Sequence, residues 1–531
     1  MTTPDPNQGP IDATEPLDAP DVADDTTGLA EEPETSLLER ALRAAGSDAA
    51  RYIPVRFIPA LTSLVTTPIF TRWIDKADYG AFYLISPIAS LVAAVSVGWL
   101  QSSTVRFYWP SHKKGKVDAF LSTVIWTGLT SLVAFALACA IGVWLGAAHI
   151  DAAIMRLIPM SLFYFITFTW AGLLLQVLRA ANRSASYAKL SIGVTLLVTA
   201  ISVGLVLAGW GATGIFAGAA IGNLVFLPFM LRAVREEGDI VPHGLDRPLL
   251  REMLVYGAPL VPVGLAGWAL AVLDRFVIQA FRGPSEVGLY AVAYSLGDKI
   301  MQLVTMPLIL TMMPSLTEAY EKRGQRLAEQ MQTHFTRYFA LLTLPLLTGL
   351  TITSQVFMRV FTGPDYREAY AVLPIVAAGS MLGQLANIAG TGLGMHKKTR
   401  LIMVNTLVAA AFNVAANIVL VPRIGYMASA INTVAAYGIL LFMTWLQSRR
   451  YMRWLLPWES LVRIALASAG MGAVVWGTTL ILPATLWALI AEVCIGVAVY
   501  GTLLVAFGGV RAEERAFVRT LAARGMARLR R

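Results

Sequence analysis

Apolar segments long enough to cross a lipid bilayer recur along this sequence, and they constrain its fold more than any other feature. A spanning helix needs about 20 mostly apolar residues. Backbone inside a bilayer must satisfy its own hydrogen bonds, which favours helices for segments of this length. The segments are 52–72, 80–108, 117–146, 154–178, 186–208, 213–231, 254–281, 287–313, 338–360, 369–394, 401–421, 427–446, 461–482 and 486–507. The sequence therefore predicts an all-α integral membrane protein with fourteen transmembrane helices.

The composition excludes most other classes of protein. Hydrophobic residues make up 56% of the 531 positions and charged residues only 14%, whereas soluble domains carry roughly 25% charged residues. The basic residues are spread over many short loops, so we predict no nucleic-acid partner. Cys139 and Cys494 lie inside apolar segments, which predicts neither a disulfide nor a metal pair. No Walker loop or metalloprotease motif occurs, and we expect neither enzymatic activity nor a cofactor.

The two ends of the chain differ in charge from the membrane part and from each other. Residues 1–35 contain ten Asp or Glu, six Pro and no Lys or Arg. Such a segment cannot bury enough apolar surface to fold alone, so we expect a disordered acidic tail. Residues 510–531 are rich in arginine and are expected to form a basic cytoplasmic tail.

Loop charges indicate how the chain is oriented. Cytoplasmic loops of membrane proteins carry an excess of Lys and Arg. With fourteen spans, alternate loops and the ends hold 31 of the 42 basic residues, the other loops hold seven, and four lie within spans. The sequence therefore predicts that both termini are cytoplasmic.

An internal repeat divides the spans into two sets. The segment DYGAF at 78–82 resembles EVGLY at 286–290, and a glycine opens the sixth and the twelfth span. Gly80 and Gly288 are 208 residues apart, and Gly211 and Gly425 are 214 apart. A nearly constant offset predicts two six-helix bundles of the same orientation, related by an axis along the membrane normal.

The repeat sets the expected domain boundaries. The first bundle takes residues 36–237, the second takes 238–450, and two C-terminal helices take 451–509. A polar linker at 315–337 is expected to form a surface helix that joins the two halves.

Several short motifs resemble a known family in their order and spacing. They are Pro68-Ile69-Phe70-Thr71-Arg72, Asp78-Tyr79-Gly80, Asp274-Arg275-Phe276-Val277-Ile278 and Gly288-Leu289-Tyr290-Ala291-Val292-Ala293-Tyr294. Over about residues 45–505 the chain resembles the polysaccharide-transporter family (Wzx-type oligosaccharide flippases) of the multidrug/oligosaccharidyl-lipid/polysaccharide exporter superfamily. The resemblance implies a protein of the bacterial cytoplasmic membrane that moves undecaprenyl-pyrophosphate-linked oligosaccharide outward. It also implies the lipid bilayer as surroundings, and a polysaccharide polymerase and glycosyltransferases as candidate partners.

Charged residues within the spans are the candidate functional residues, because charge deep in a bilayer is costly. The resembled fold has a central solvated cavity, and we place Arg56, Arg106, Arg275 and Lys299 there as a cationic substrate site. Asp274 and Asp298 are the expected charge partners. Neighbouring residues on a helix point about 100° apart, so Lys299 cannot pair with Asp298 face to face.

Simpler interpretations stay open for most of these charges. Arg56 and Arg106 lie near span ends and could extend to the lipid headgroups. Arg275 is expected to pair with an acid on a neighbouring helix, and Asp298 with a residue such as Arg56 or Arg106. Glu492, alone in the last span, is expected to be a hydrogen-bonded interior residue.

Prolines mark the candidate hinges. Pro59 in span one and Pro259 and Pro262 in span seven lie at matching places, and proline bends a membrane helix. They either form static kinks or let the two bundles rock against each other.

Three functions fit these observations. The first is a secondary-active flippase for lipid-linked oligosaccharide. The second is a multidrug or small-molecule exporter of the same superfamily, for which acidic residues should dominate the cavity. The third is a non-transporting membrane scaffold for a polysaccharide synthase.

The charge pattern predicts which loops face outward. In cells that produce a cysteine-free variant, single cysteines at Gly209 and Pro483 should react with an impermeant maleimide. Cysteines at Gly115 and Lys398 should react only after the membrane is permeabilised. Labelling of the Lys398 position in intact cells would contradict the fourteen-span topology.

Overall fold

A computed structural model describes residues 49–149, 152–241 and 244–510. The predicted acidic tail and residues 511–531 of the basic tail lie outside these ranges. Within them every regular element is helical, so the all-α prediction is confirmed.

The α-helices are numbered in chain order. Their bounds are α1 Ala49–Trp73, α2 Lys76–Ala93, α3 Trp99–Lys113, α4 Val117–Gly146, α5 Ala152–Ala180, α6 Ser184–Leu205, α7 Gly211–Arg235, α8 Arg247–Gly257, α9 Leu260–Arg282, α10 Pro284–Arg323, α11 Gln325–Phe361, α12 Val372–Ala389, α13 Thr391–Met395, α14 Thr399–Ile424, α15 Tyr426–Ser448, α16 Trp458–Thr479 and α17 Leu486–Ala506. A π-helical turn, Ala94–Gly98, joins α2 to α3, and a 3₁₀ segment, Pro364–Ala371, precedes α12. We call α1–α7 the first half and α9–α15 the second half.

Twelve helical stretches of the described chain are long and apolar enough to cross a membrane. The chain is therefore a multi-pass membrane protein. One of the twelve, Ser184–Arg235, folds back on itself, because Gly218 packs on Ser202 and Gly222 packs on Val198. The reversal lies at Gly209 and Gly211, whose φ angles of 88° and 54° suit glycine. The helix α1 is not among the twelve.

The two halves cross most closely at Gly80 of α2 and Gly288 of α10. A Cβ atom at Gly80 would overlap the carbonyl group of Pro284, and one at Gly288 would lie 2.5 Å from the carbonyl oxygen of Lys76. Gly288 lies 208 residues after Gly80, and Pro284 lies 208 residues after Lys76. Each glycine therefore contacts the equivalent residue of the other half, and the contact is reciprocal. Only glycine lets these two backbones meet at this distance.

Further contacts join the halves at the same end of the molecule. The backbone N–H of Gly363 donates to Thr71 Oγ1 at 2.9 Å, and Arg72 Nη2 donates to the carbonyl oxygen of Val360 at 3.0 Å. Lys76 pairs with Glu368 at 3.8 Å. We call this end, built from residues 71–80, 283–290 and 360–371, the sealed end.

Apolar packing is distributed in the same way. A buried cluster at the sealed end contains Ile74 and Tyr79 of the first half with Ile278, Tyr290 and Tyr366 of the second. Every other buried cluster of the described chain draws on only one of the two halves. The halves are therefore joined by the sealed end and by buried contacts below it, and the other clusters each lie within one half.

The helix α8 connects the halves and belongs structurally to the first. Asp118, Ser122 and Thr123 of α4 accept hydrogen bonds from the backbone of the 239–246 segment at 2.8–2.9 Å. Ser103 Oγ donates to the carbonyl oxygen of Met253 at 2.7 Å. One apolar stretch, Arg247–Arg282, contains both α8 and α9 and includes the predicted seventh span, 254–281.

The prediction for residues 315–337 is wrong. They do not form a separate helix that joins the halves, but are the end of α10 and the start of α11, which meet at Gly324. The helix α10 continues past Pro307 and Pro314 to Arg323 and ends at Gly324, whose φ angle of 86° suits glycine.

The reciprocal glycine contact yields a stability prediction. Gly80→Ala and Gly288→Ala should each lower the free energy of unfolding by about 1–3 kcal/mol, because the new methyl group meets backbone that cannot move aside. The matched control is Gly349→Ala in α11, where nothing lies within 4 Å of the new methyl group. Thermal unfolding of the purified variants in detergent checks the difference. Equal stability of Gly80→Ala and Gly349→Ala would show that the crossing is looser than described.

Candidate functional site

Two pairs of adjacent, oppositely charged residues lie on α9 and α10, below the sealed end. They are Asp274 with Arg275 and Asp298 with Lys299. Arg275 lies about 10 Å along the helix axis from the end of α9, and Lys299 lies roughly 20 Å from the start of α10. Within each pair the side chains diverge, as helical geometry requires, and they reach different surroundings.

Asp274 is directed into the second half. Its side chain is buried, with 1% of the residue exposed. The hydroxyl of Tyr290 donates to its Oδ2 atom at 2.5 Å, and the backbone N–H of Arg275 donates to Oδ1 at 2.8 Å. Neutral donors and the nearby charge of Arg275 therefore hold this carboxylate.

Arg275 is directed into the interface between the halves. Its guanidinium carbon lies 5.7 Å from the ring centre of Tyr83 in α2 and 5.2 Å from that of Tyr294 in α10. Cation–π contacts of this kind contribute about 0.5–2 kcal/mol. The buried Nε atom has no hydrogen-bond partner, and no carboxylate of the described chain pairs with the guanidinium. The expected ion pair with a neighbouring helix is therefore absent from the described part of the chain.

In the second pair, too, the acid Asp298 is held within the second half and the cation Lys299 reaches the first. Ser380 Oγ of α12 donates to Asp298 Oδ1 at 2.6 Å, and Gln302 Nε2 donates to Oδ2 at 2.7 Å. Lys299 is half-buried and its ammonium group donates to Ser63 Oγ of α1, in the other half. It forms no ion pair with an acid that the structure describes.

The other two predicted site cations, Arg56 and Arg106, are not seen in contact with Arg275 or Lys299 in the described chain. Arg56 lies in α1, but its side chain is outside the described part of the chain. Arg106 in α3 is exposed and makes no hydrogen bond or ion pair with any described residue. Neither is therefore seen as the partner of Asp298 that the sequence suggested.

The candidate hinges take different forms. Pro59 lies inside α1, which continues unbroken on both sides of it. Pro259 lies between α8 and α9, and Pro262 lies in the first turn of α9. Ala258 and Pro259 form the junction between α8 and α9, just after the segment that is bound to the first half.

The sequence alone does not reveal the groups that the cations contact. Tyr83 and Ser63 lie 192 and 236 residues before Arg275 and Lys299. No local pattern marks either residue. Only the pairing of α2 with α9 and α10, and of α1 with α10, brings them together.

The two acids and the two cations of this site have different surroundings. Both acids are satisfied by neutral donors within the second half, and both cations extend across to the first half without an acidic partner in the described chain. The Lys299 ammonium lies within electrostatic range of both its chain neighbour Asp298 and the Arg275 guanidinium. Two like charges held near each other at a helix interface are suited to binding an anion.

A family model and several known proteins match this sequence. A family model described as "Polysaccharide biosynthesis protein" matches residues 47–320. The uncharacterized membrane protein MJ1068 of Methanocaldococcus jannaschii is 20% identical over 73% of this chain and 81% of its own length. The probable low-salt glycan biosynthesis flippase Agl15 of Haloferax volcanii is 23% identical over 36% of this chain; the chain spans 40% of that protein.

Solved structures share the fold. The lipid II flippase MurJ in an inward closed conformation superposes with a TM-score of 0.70 at 16% identity, covering 87% of this chain and 98% of that one. An inward-facing multidrug resistance MATE family transporter of the MOP superfamily superposes with a TM-score of 0.55 at 15% identity, covering 75% and 94%. The family model covers more than half of the 531 residues, which confirms the resemblance seen in the sequence motifs. The chain therefore belongs to the polysaccharide biosynthesis protein family.

Proposed function

We propose that this protein is a secondary-active flippase that moves undecaprenyl-pyrophosphate-linked oligosaccharide across the bacterial cytoplasmic membrane for surface polysaccharide biosynthesis. One observation carries the proposal. Arg275 and Lys299 extend across the interface between the halves, and no described acid pairs with either of them. The pyrophosphate of the lipid carrier is an anion of matching charge.

The cost of these cations supports a functional role. An unpaired cation near mid-membrane costs roughly 2.5–3.5 kcal/mol on insertion scales, and a neutral residue at the same position avoids that cost. Arginine offers planar, bidentate geometry to phosphate, and lysine offers a compact charge. Together they match a ligand with two neighbouring phosphate groups. In this proposal Arg56 and Arg106 attract the same headgroup closer to the cytoplasmic side.

The arrangement of helices supports fourteen spans in two similar sets of six. We count the hairpin α6–α7 as two spans and add α1, which is not among the twelve stretches, to reach fourteen. Gly211 and Gly425 have similar φ angles of 54° and 66°, and so do Asn182 and Lys397, at 58° and 56°. The helices α16 and α17 pack on the second half.

Loop charges assign the sealed end to the outer side of the membrane, with both termini in the cytoplasm. The structure then corresponds to a state that is closed to the outside. We retain bundles at 36–237 and 238–450, and propose that the junction of α8 and α9 at Ala258 and Pro259 serves as a hinge. Rocking about Pro259 and Pro262, with bending of α1 at Pro59, would open the sealed end.

Two alternatives make different predictions. A MATE-like exporter of cationic drugs would need free acids at the interface, but Asp274 and Asp298 are held by neutral donors. A scaffold that binds a polysaccharide polymerase or glycosyltransferases would not depend on Arg275 or Lys299.

Substitution of Lys299 tests the proposal. Lys299→Met should leave the protein folded at its normal level but reduce flipping of the lipid-linked oligosaccharide about tenfold to a hundredfold, because a charge-assisted hydrogen bond is lost. Lys299→Arg should retain part of the activity, and Lys299→Glu should be worse than Lys299→Met, since it repels the anion. Flipping is measured by complementation of a flippase-deficient strain, with membrane levels determined in parallel.

The matched control is Lys322→Met, which removes an exposed lysine of α10 that pairs with Glu318. Its flipping should equal that of the unchanged protein. Full complementation by Lys299→Met at normal abundance would remove Lys299 from the substrate site. If Lys299→Met abolished drug resistance and left flipping intact, the exporter function would be favoured.

A further inference from the structure

Glu492 of α17 is a buried carboxyl group outside the two halves. Only 1% of the residue is exposed, and neither carboxylate oxygen has a hydrogen-bond partner in the described chain. The expectation of a hydrogen-bonded interior residue is therefore wrong for the described part of the chain. An apolar side chain of similar size would pack there without burying polar atoms, so the carboxyl group calls for another explanation.

Within the described chain, no hydrogen bond or ion pair compensates the charge of Glu492. It lies one turn before Gly496, which packs against Val475 and Met471 of α16. On α17 itself, Cys494 is exposed and the hydroxyl of Tyr500 donates to the carbonyl oxygen of Leu341.

The two helices that pack on α17 carry their ionisable residues elsewhere. The helix α16 has only Glu459 and Arg463, which pair with each other at its opposite end. Between Ala340 and Met358 the helix α11 has none. Its ionisable side chains lie near its two ends and are Arg326, Glu329, His334, Arg337, Tyr338 and Arg359. No cation therefore faces Glu492 from an element packed against it in the described chain.

We propose that Glu492 is a proton-binding site of this protein. An ionised carboxylate with no partner is poorly tolerated where water is excluded, and binding of one proton converts it to the neutral acid. The reaction is a simple exchange in which the carboxylate takes up one proton from water and no other bond changes. Glu492 lies about 9 Å along the helix from the start of α17, so the sealed-end side is the nearer source of protons.

The position of Glu492 links the bound proton to the sealed end. Leu489, one turn earlier on the same face of α17, belongs to the buried cluster that joins the halves, and Ala484 packs on that cluster. The neutral acid is compatible with the closed packing seen here. The carboxylate needs water, which enters when this packing loosens, so loss of the proton favours opening of the sealed end. This coupling rests on the proposed transport function, whereas proton binding does not.

Reaction with a lipid-soluble carbodiimide tests the site directly. Dicyclohexylcarbodiimide adds a protonated carboxyl across its C=N bond, forming a new C–O bond and passing the proton to nitrogen. The full-length protein in liposomes should be modified at Glu492 at least about tenfold faster than at the exposed Glu318, and more slowly as the pH is raised. Mass spectrometry locates the adduct. An unmodified Glu492, or modification that does not depend on pH, would overturn the proposal.

A second measurement tests the coupling without any cargo. A cysteine replaces Ala369, which is fully buried at the sealed end, in a Cys139→Ser, Cys494→Ser background. Its reaction with an impermeant maleimide from outside intact cells should accelerate about tenfold between about pH 6 and about pH 9, as the open population grows.

Glu492→Gln imitates the protonated acid and should keep this reaction slow at every pH. Glu459→Gln, which removes an exposed acid from α16, should behave like the unchanged protein. The coupling would be refuted if the maleimide reaction of the Glu492→Gln variant accelerated with pH in the same way. It would also be refuted if the reaction did not depend on pH in the protein that retains Glu492. Because neither experiment involves oligosaccharide, failure here is distinguishable from failure of the proposed flipping.

Discussion

The crossing of α2 and α10 at Gly80 and Gly288 is the contact on which the rest of this structure depends. Two helix backbones meet there without side chains between them, and the contact is reciprocal because each glycine faces the first turn of the other helix. The apolar cluster and polar contacts of the sealed end surround this crossing and hold the two halves together. Since the other buried clusters do not join the halves, motion that opens the molecule to the outside has to separate these two backbones.

The crossing also determines which charges reach the interface. The helices α9 and α10 each carry an acid followed by a cation, and successive side chains on a helix point about 100° apart. With the acids directed to Tyr290 and Ser380 in the second half, the cations are directed to Tyr83 and Ser63 in the first. One packing contact thus produces a pair of cations without described acidic partners, which supports an anionic cargo more than a cationic drug.

The sequence predicted the features that depend on local pattern and repeat, but not those that depend on contacts between distant segments. The all-α membrane architecture followed from apolar segments, and the spacing of Gly80 and Gly288 indicated that the two positions are equivalent. Equivalence does not imply contact, so the crossing itself was not foreseen. Arg275 was expected to form an ion pair, because nothing near it in sequence indicates Tyr83. Residues 315–337 were misassigned because polarity alone does not show whether a helix ends or continues into water.

We propose that Arg275 and Lys299 together bind a pyrophosphate group. The most direct measurement is the affinity of the purified full-length protein for a polyprenyl pyrophosphate sugar and for the matching monophosphate, by native mass spectrometry. We predict that the pyrophosphate binds at least about tenfold more tightly, and that the difference disappears in the Arg275→Gln, Lys299→Met double variant. Equal affinity for the two lipids, or a preference that persists in the double variant, would contradict the account.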